Sequence, residues 1–133
     1  MNKVLSRESA SEQVARLLDY YDCDRNDASE VFKSVLLALE NAFMLGRLEI
    51  EIGEKGCVLK QHLGKPVEGM PNPLVYGDLT AKAKLEIDKY EGNYGRTFAL
   101  LGVLSGEGKA VIEKLRLKDL SIAETLGAFF LLV

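Results

Sequence analysis

The chain has one histidine, two cysteines and three prolines in 133 residues. Each scarcity excludes something. His62 alone leaves no pair of imidazoles, and with Cys23 and Cys57 there are three Cys and His side chains in all. Structural zinc takes about four ligands, so no metal centre is expected, and no cofactor motif is present either. Two cysteines in different predicted elements, without a secretion signal, read as reduced thiols of a cytoplasmic protein. The opening stretch Met1 to Arg7 lacks the apolar run of a signal peptide. Apolar stretches such as Val35 to Leu39 are far too short to cross a bilayer. Positive charge is in deficit: 17 Lys and Arg stand against 20 Asp and Glu, a net charge of −3. No basic cluster is visible along the sequence. Affinity for phosphate backbones comes largely from Lys and Arg, so neither nucleic acid nor membrane is an expected partner.

The size fits one domain, 1–133. Such a domain buries roughly two thirds of its unfolded surface and needs neither disulfide nor metal to fold.

Helical spacing comes first along the chain. Val14, Leu17, Leu18 and Tyr21 share one face of a helix over 10–21. Ser9 and Glu12 have the spacing of a capping box. Asp22 to Asn26 reads as a turn. Asp27 and Glu30 repeat the box and open a second helix over 28–46. Apolar residues cover most of its circumference, leaving a narrow polar stripe of Lys33, Ser34, Glu40 and Asn41. Such a helix is either central or meets a partner along one face. Gly46 is placed to cap its C-terminus.

The period then changes to two. Leu48, Ile50 and Ile52 alternate with Arg47, Glu49 and Glu51, and Cys57 to Lys60 form a return strand. The spacing predicts a β-hairpin near 47–63 with the four-residue loop Gly53 to Gly56. All three prolines, Pro66, Pro71 and Pro73, fall in an arm over 64–77. An arm of this composition is neither helix nor central strand, and its expected role is to make contacts.

Asp78 or Thr80 caps a third helix over 79–91, with a thin apolar edge of Leu79, Ala83, Ile87 and Tyr90. After Gly92 to Gly95 comes an apolar helix through Leu104, then the turn Ser105 to Gly108. A short helix carries Val111, Ile112 and Leu115. Asp119 is placed to cap a last helix with apolar Leu120, Ala123, Leu126 and Phe130. The expected fold class is mainly α, of the α+β kind, with five or six short helices and one hairpin.

The residues that tempt a chemical reading do not sustain one. Asp22, Asp24 and Asn26 start a calcium-loop spacing, but Asp27 and Lys33 stand where its glycine and bidentate glutamate belong. Gly106-Glu107-Gly108-Lys109 lacks the first glycine and the final Ser or Thr of a phosphate loop. Cys57 and His62 lie five residues apart, on opposite faces of a strand, so they do not pair as nucleophile and base. Glu49 and Glu51 read as the wet face of the hairpin. Tyr20, Tyr21, Tyr90 and Tyr94 are candidate interface anchors or half-buried tyrosines. No enzyme is expected.

Segments of the last third form a pattern: Leu74-Val75-Tyr76-Gly77-Asp78-Leu79-Thr80-Ala81, Leu104-Ser105-Gly106, Lys114-Leu115, Asp119-Leu120 and Phe129-Phe130-Leu131. This stretch resembles tail assembly chaperones of tailed bacteriophages over 74–131, with a fainter likeness over 57–73 and none in the N-terminal helices. The resemblance implies a non-enzymatic protein of the host bacterial cytoplasm. It would bind the long helical tape-measure protein, keep it soluble and help tail-tube subunits assemble. The tail-tube protein and a second copy of the chain are the further expected partners. In some family members a frameshift appends a second domain. The apolar run Phe129 to Val133 is compatible with such a site, and equally with a buried last helix.

A chaperone for a helical client needs apolar surface, not titrating groups. The expected partner-binding residues are Phe43, Met44, Tyr76, Leu126, Phe129 and Phe130. The competing reading is a small helical regulatory or adaptor module of viral or prophage origin that acts by binding a host protein. A neighbouring gene for a very long coiled-coil protein favours the chaperone.

Overall fold

Two helices, α1 (Arg7–Tyr20) and α2 (Glu30–Met44), open the fold and pack on each other. The structure is a computed structural model and describes residues 4–24, 29–54 and 56–133, with their side chains except that of Asn93. Helix α1 starts earlier than its apolar spacing suggests. Ser6, not Ser9, is the cap, and its Oγ accepts the Ser9 N–H at 3.1 Å. In α2 the cap is Ser29, whose Oγ accepts the Phe32 N–H at 3.3 Å. Asp27, and Arg25 and Asn26 of the 22–26 turn, lie outside the described residues. Helix α2 ends as expected at Gly46, which has φ +72°; Arg47 N–H reaches Ala42 C=O and Gly46 N–H reaches Phe43 C=O. These are the two bonds of a Schellman cap.

The hairpin is present, with a tighter turn than the spacing suggests. Strands β1 (Leu48–Gly53) and β2 (Gly56–Gln61) pair antiparallel down to Gly53 opposite Gly56. The loop is therefore two residues, not four. A third strand, β3 (Leu74–Tyr76), joins the free side of β2 in the order β1-β2-β3. It comes from the proline-rich arm, one residue past Pro73, and occupies an edge, where proline can be tolerated. The arm folds back on its own sheet: Met70 is buried, and Asn72 Oδ1 accepts the Leu63 N–H at 2.9 Å. His62 follows directly on β2, with Nε2 at 3.0 Å from Glu49 Oε1. Glu51 accepts from Lys60 Nζ at 2.7 Å, so each of the two strand carboxylates already has a neighbour.

Helices α3 (Ala81–Ile87), α4 (Asn93–Ser105), α5 (Lys109–Ile112) and α6 (Leu117–Leu132) complete the chain. Thr80 caps α3, which stops four residues short of the expected 91. Among the described residues the architecture is six helices and one three-stranded antiparallel sheet, a mainly α fold of the α+β kind.

Helix α6 is as central as α2, which packs on α1, α6 and β1. Helix α6 packs between α2 and α4 and buries Ile122, Ala123, Leu126, Phe129 and Phe130. On its uncovered side α2 leaves Val31 and Leu37 more than half exposed, and its C-cap Leu45 is half exposed. Its stripe also differs from expectation, because Glu40 is buried and bonded to Arg7 of α1 at 3.1 Å. Glycine brings helices together at one crossing, where a Cβ on Gly127 would run into Thr97 Cγ2 of α4.

Asp119 does not cap α6. Arg116 holds that position without a side-chain bond, and Asp119 lies within the first turn, 3% exposed. Its carboxylate turns to the arm instead, accepting the N–H of Gly64 at 2.9 Å and of Lys65 at 2.8 Å. Its backbone carbonyl accepts from Gln61 Nε2 at 2.8 Å, and Gln61 Oε1 accepts from the Tyr76 hydroxyl at 2.8 Å. One polar chain thus ties the sheet, the arm and α6. Among the described residues no buried side-chain polar atom lacks a partner.

Candidate interaction groove

Helix α3 is short and buries only Ala83 and Ile87. It lies along α4, which in turn lies on α6. A short, thinly seated helix beside two apolar ones leaves a trough between them. The trough measures about 530 Å³. Its floor is formed by Leu100 of α4, Phe130 of α6 and Ile87 of α3, all buried. Leu85, 67% exposed, and Leu131, 37% exposed, stand on its walls. Lys84, Asp88 and Arg96 supply charge of both signs at the rim. Lys84 Nζ donates to the Val133 carbonyl at 3.1 Å, which ties α3 to the end of α6.

Five of the six expected partner-binding residues are in the core. Phe43, Tyr76, Leu126, Phe129 and Phe130 are at most 1% exposed, and Met44 is half-buried. Most of these side chains are given over to the core. Of the six, only Phe130 borders the groove, as part of its floor. The residues the sequence reading passed over are Leu85, Leu131 and Arg96. The available signal was Leu85, a leucine lying off the apolar edge of an otherwise charged helix.

The tyrosines divide into two groups. Tyr90 and Tyr94 are exposed, and Lys109 Nζ sits 5.6 Å from the Tyr90 ring centroid. Tyr20 and Tyr21 instead converge on Asp78, the residue before the α3 cap region. The Tyr21 hydroxyl donates to Asp78 Oδ1 at 2.9 Å, and the Tyr20 hydroxyl donates to Oδ2. Gly56 passes so close that a Cβ there would lie 2.5 Å from Asp78 Oδ2. The junction fastens the end of α1 to the strand that leads into α3.

Tyr20, Tyr21, Tyr76 and Cys57 hold their protons more tightly than usual. Burial, and then the bond to Asp78, raises the Tyr21 pKa; the bond to Asp78 is the first cause for Tyr20. Burial, and then the Asp119 charge, raises that of Tyr76. Burial, followed by the Asp78 charge, pushes the Cys57 thiol from 9.0 up to about 11. In the unfolded chain these groups lose protons nearer their ordinary values, about 8.5 for Cys and about 10 for Tyr. Their contribution to stability is therefore complete below those values and is lost as pH rises through the folded ones. The thermal midpoint should be level up to about pH 8 and fall progressively above about pH 9. Tyr21→Phe, lower in midpoint at neutral pH, should show a shallower alkaline fall. A midpoint unchanged up to pH 11 would refute this account.

Among the described residues no group of three or more His, Cys, Asp or Glu stands together as a metal cage, and no helix is long and apolar enough to cross a membrane. Gly106 to Lys109 forms the α4–α5 turn, and Lys109 is engaged with Glu113 at 2.7 Å. No protein-family model, no curated protein and no solved structure matches the chain.

Proposed function

We propose that this protein is a tail assembly chaperone of a tailed bacteriophage. It is a non-enzymatic protein that binds a helical segment of the tape-measure protein, keeps it soluble in the host cytoplasm and assists tail-tube assembly. The observation that carries the reading is the α3–α4–α6 groove. A helix docks in a groove by laying an apolar stripe on an apolar floor and its polar flanks against a charged rim. Leu85 and Leu131 supply the exposed apolar surface above the buried floor of Leu100, Phe130 and Ile87, and Lys84, Asp88 and Arg96 the rim. Every residue of the groove falls within 74–131, the stretch that carries the resemblance.

The test is co-expression with the tape-measure protein encoded beside it, followed by affinity purification and light scattering. The client should become soluble and co-elute. The variant Leu85→Glu changes a side chain that is 67% exposed. Its stability should stay within about 0.5 kcal/mol of the parent, while the co-eluting client falls at least about tenfold, or about 1.4 kcal/mol. A client solubilised equally by the variant moves the contact away from the groove. A client left insoluble by the parent chain removes the chaperone reading and puts the adaptor reading first.

A further inference from the structure

The sequence shows no basic cluster, but the fold assembles one. Arg47 follows α2, Lys65 sits in the arm, and Arg116 and Lys118 flank the first residue of α6. All four line one cleft of about 150 Å³, together with Gly64, Leu117 and Asp119. Among the described residues none of the four side chains is ion-paired or hydrogen-bonded to the protein. Of the other described Lys and Arg residues, Arg7, Lys33, Lys60, Lys89 and Lys109 each have a carboxylate within 4.0 Å, and the unpaired remainder are not gathered in one cleft with three others. Four unpaired cations against the single carboxylate of Asp119 make a local excess of positive charge in a chain that is negative as a whole.

The geometry of Arg47 is specific. Its guanidinium lies over Gly64, where a Cβ would meet Nη2 at 2.9 Å and Cζ at 3.0 Å. Gly64 does not have the positive φ that calls for glycine, so what glycine provides there is room for the guanidinium. Asp119 fixes the same stretch of arm by holding the Gly64 and Lys65 N–H groups. The backbone of Arg47 is held from both sides, by Ala42 C=O and by the His62 N–H. The cleft has room for roughly five waters, which is the scale of one small oxyanion with part of its hydration and not of a helix. A guanidinium fork with further cations around it suits a doubly charged tetrahedral oxyanion better than a single carboxylate.

We infer that this cleft is a phosphate-group site, with Arg47, Lys65, Arg116 and Lys118 as its cations and free phosphate or a small phosphomonoester as its ligand. The site is independent of the client reading and stands or falls by itself. The test is an amide NMR titration of the full chain with sodium phosphate, against sodium chloride at matched ionic strength. Saturable shifts at Gly64, Lys65, Leu117 and Lys118 are expected with phosphate alone. The exposed double variant Arg116→Gln/Lys118→Gln should bind at least tenfold more weakly. Lys33→Gln/Lys82→Gln makes the same charge change away from the cleft and should bind within twofold of the parent. Each spectrum also reports whether the variant is folded. A parallel titration with glycerol 3-phosphate identifies the source: tighter binding points to the ester, equal or weaker binding to the free ion. Non-saturating shifts, shifts equal to those in chloride, or equal weakening by the two double variants would overturn the assignment.

Discussion

Asp119→Ala is expected to cost about 3 kcal/mol of folding stability, an unusually large effect for a residue in the first turn of a helix. The carboxylate is 3% exposed and accepts two backbone N–H bonds, from Gly64 and Lys65. Charge-assisted bonds of this kind contribute about 1.5–3 kcal/mol each, and leaving their donors without a partner adds a desolvation cost. Water can replace part of the loss, because both bonds are only part-buried. Urea denaturation measures the effect as a lower midpoint at unchanged slope. Asp119→Asn keeps one acceptor oxygen and should lose roughly half as much. If the alanine variant loses less than about 1 kcal/mol, the typical cost of removing a helix cap, the arm is held by something other than Asp119.

That residue also shows where the sequence could be read and where it could not. The Asp119-Leu120 pair before an apolar run correctly marks the start of a helix. Local spacing cannot say that the carboxylate faces an arm more than fifty residues earlier in the chain. The same divide runs through the other elements. The period-two alternation of Leu48 and Ile50 located the hairpin, and Gly46 located the end of α2, because both signals are local. Strand β3 was hidden in the proline-rich arm, since a three-residue edge strand takes its definition from the strand it joins. The breadth of the apolar face of α2 marks it as either central or partner-facing, and α2 packs on α1, α6 and β1 while leaving Val31 and Leu37 exposed. Composition gives the breadth of an apolar face, not which neighbours cover it. The groove was missed for the same reason: Leu85 matters through the trough that α4 and α6 form beside it. The basic cleft draws its cations from positions 47, 65, 116 and 118, which no window along the chain brings together.

Phe129→Ala should be the most damaging single change, at about 4 kcal/mol, within the roughly 3–5 kcal/mol range for deleting a buried phenylalanine side chain. Phe129 is fully buried. Its ring meets Phe130 edge-on at 5.7 Å between centroids and Tyr21 at 6.0 Å, which joins the end of α6 to the end of α1. The loss combines transfer free energy, an aromatic cavity and two edge contacts. Against a total stability of about 5–15 kcal/mol it removes a large fraction, so the variant should be partly unfolded at 37 °C. Phe129→Leu keeps most of the volume and should cost about 1.5 kcal/mol or less. This pair of variants also separates a core role from a contact role. If Phe129 serves the core, the leucine variant solubilises the tape-measure client as well as the parent, and the alanine variant fails only in proportion to its unfolded fraction. If Phe129 touches the client directly, the leucine variant loses client binding while it remains folded, with a urea midpoint lowered by no more than that cost. The second outcome would require α6 to leave its place between α2 and α4 when the client binds, because a ring enclosed by Tyr21 and Phe130 cannot reach a partner from where it stands.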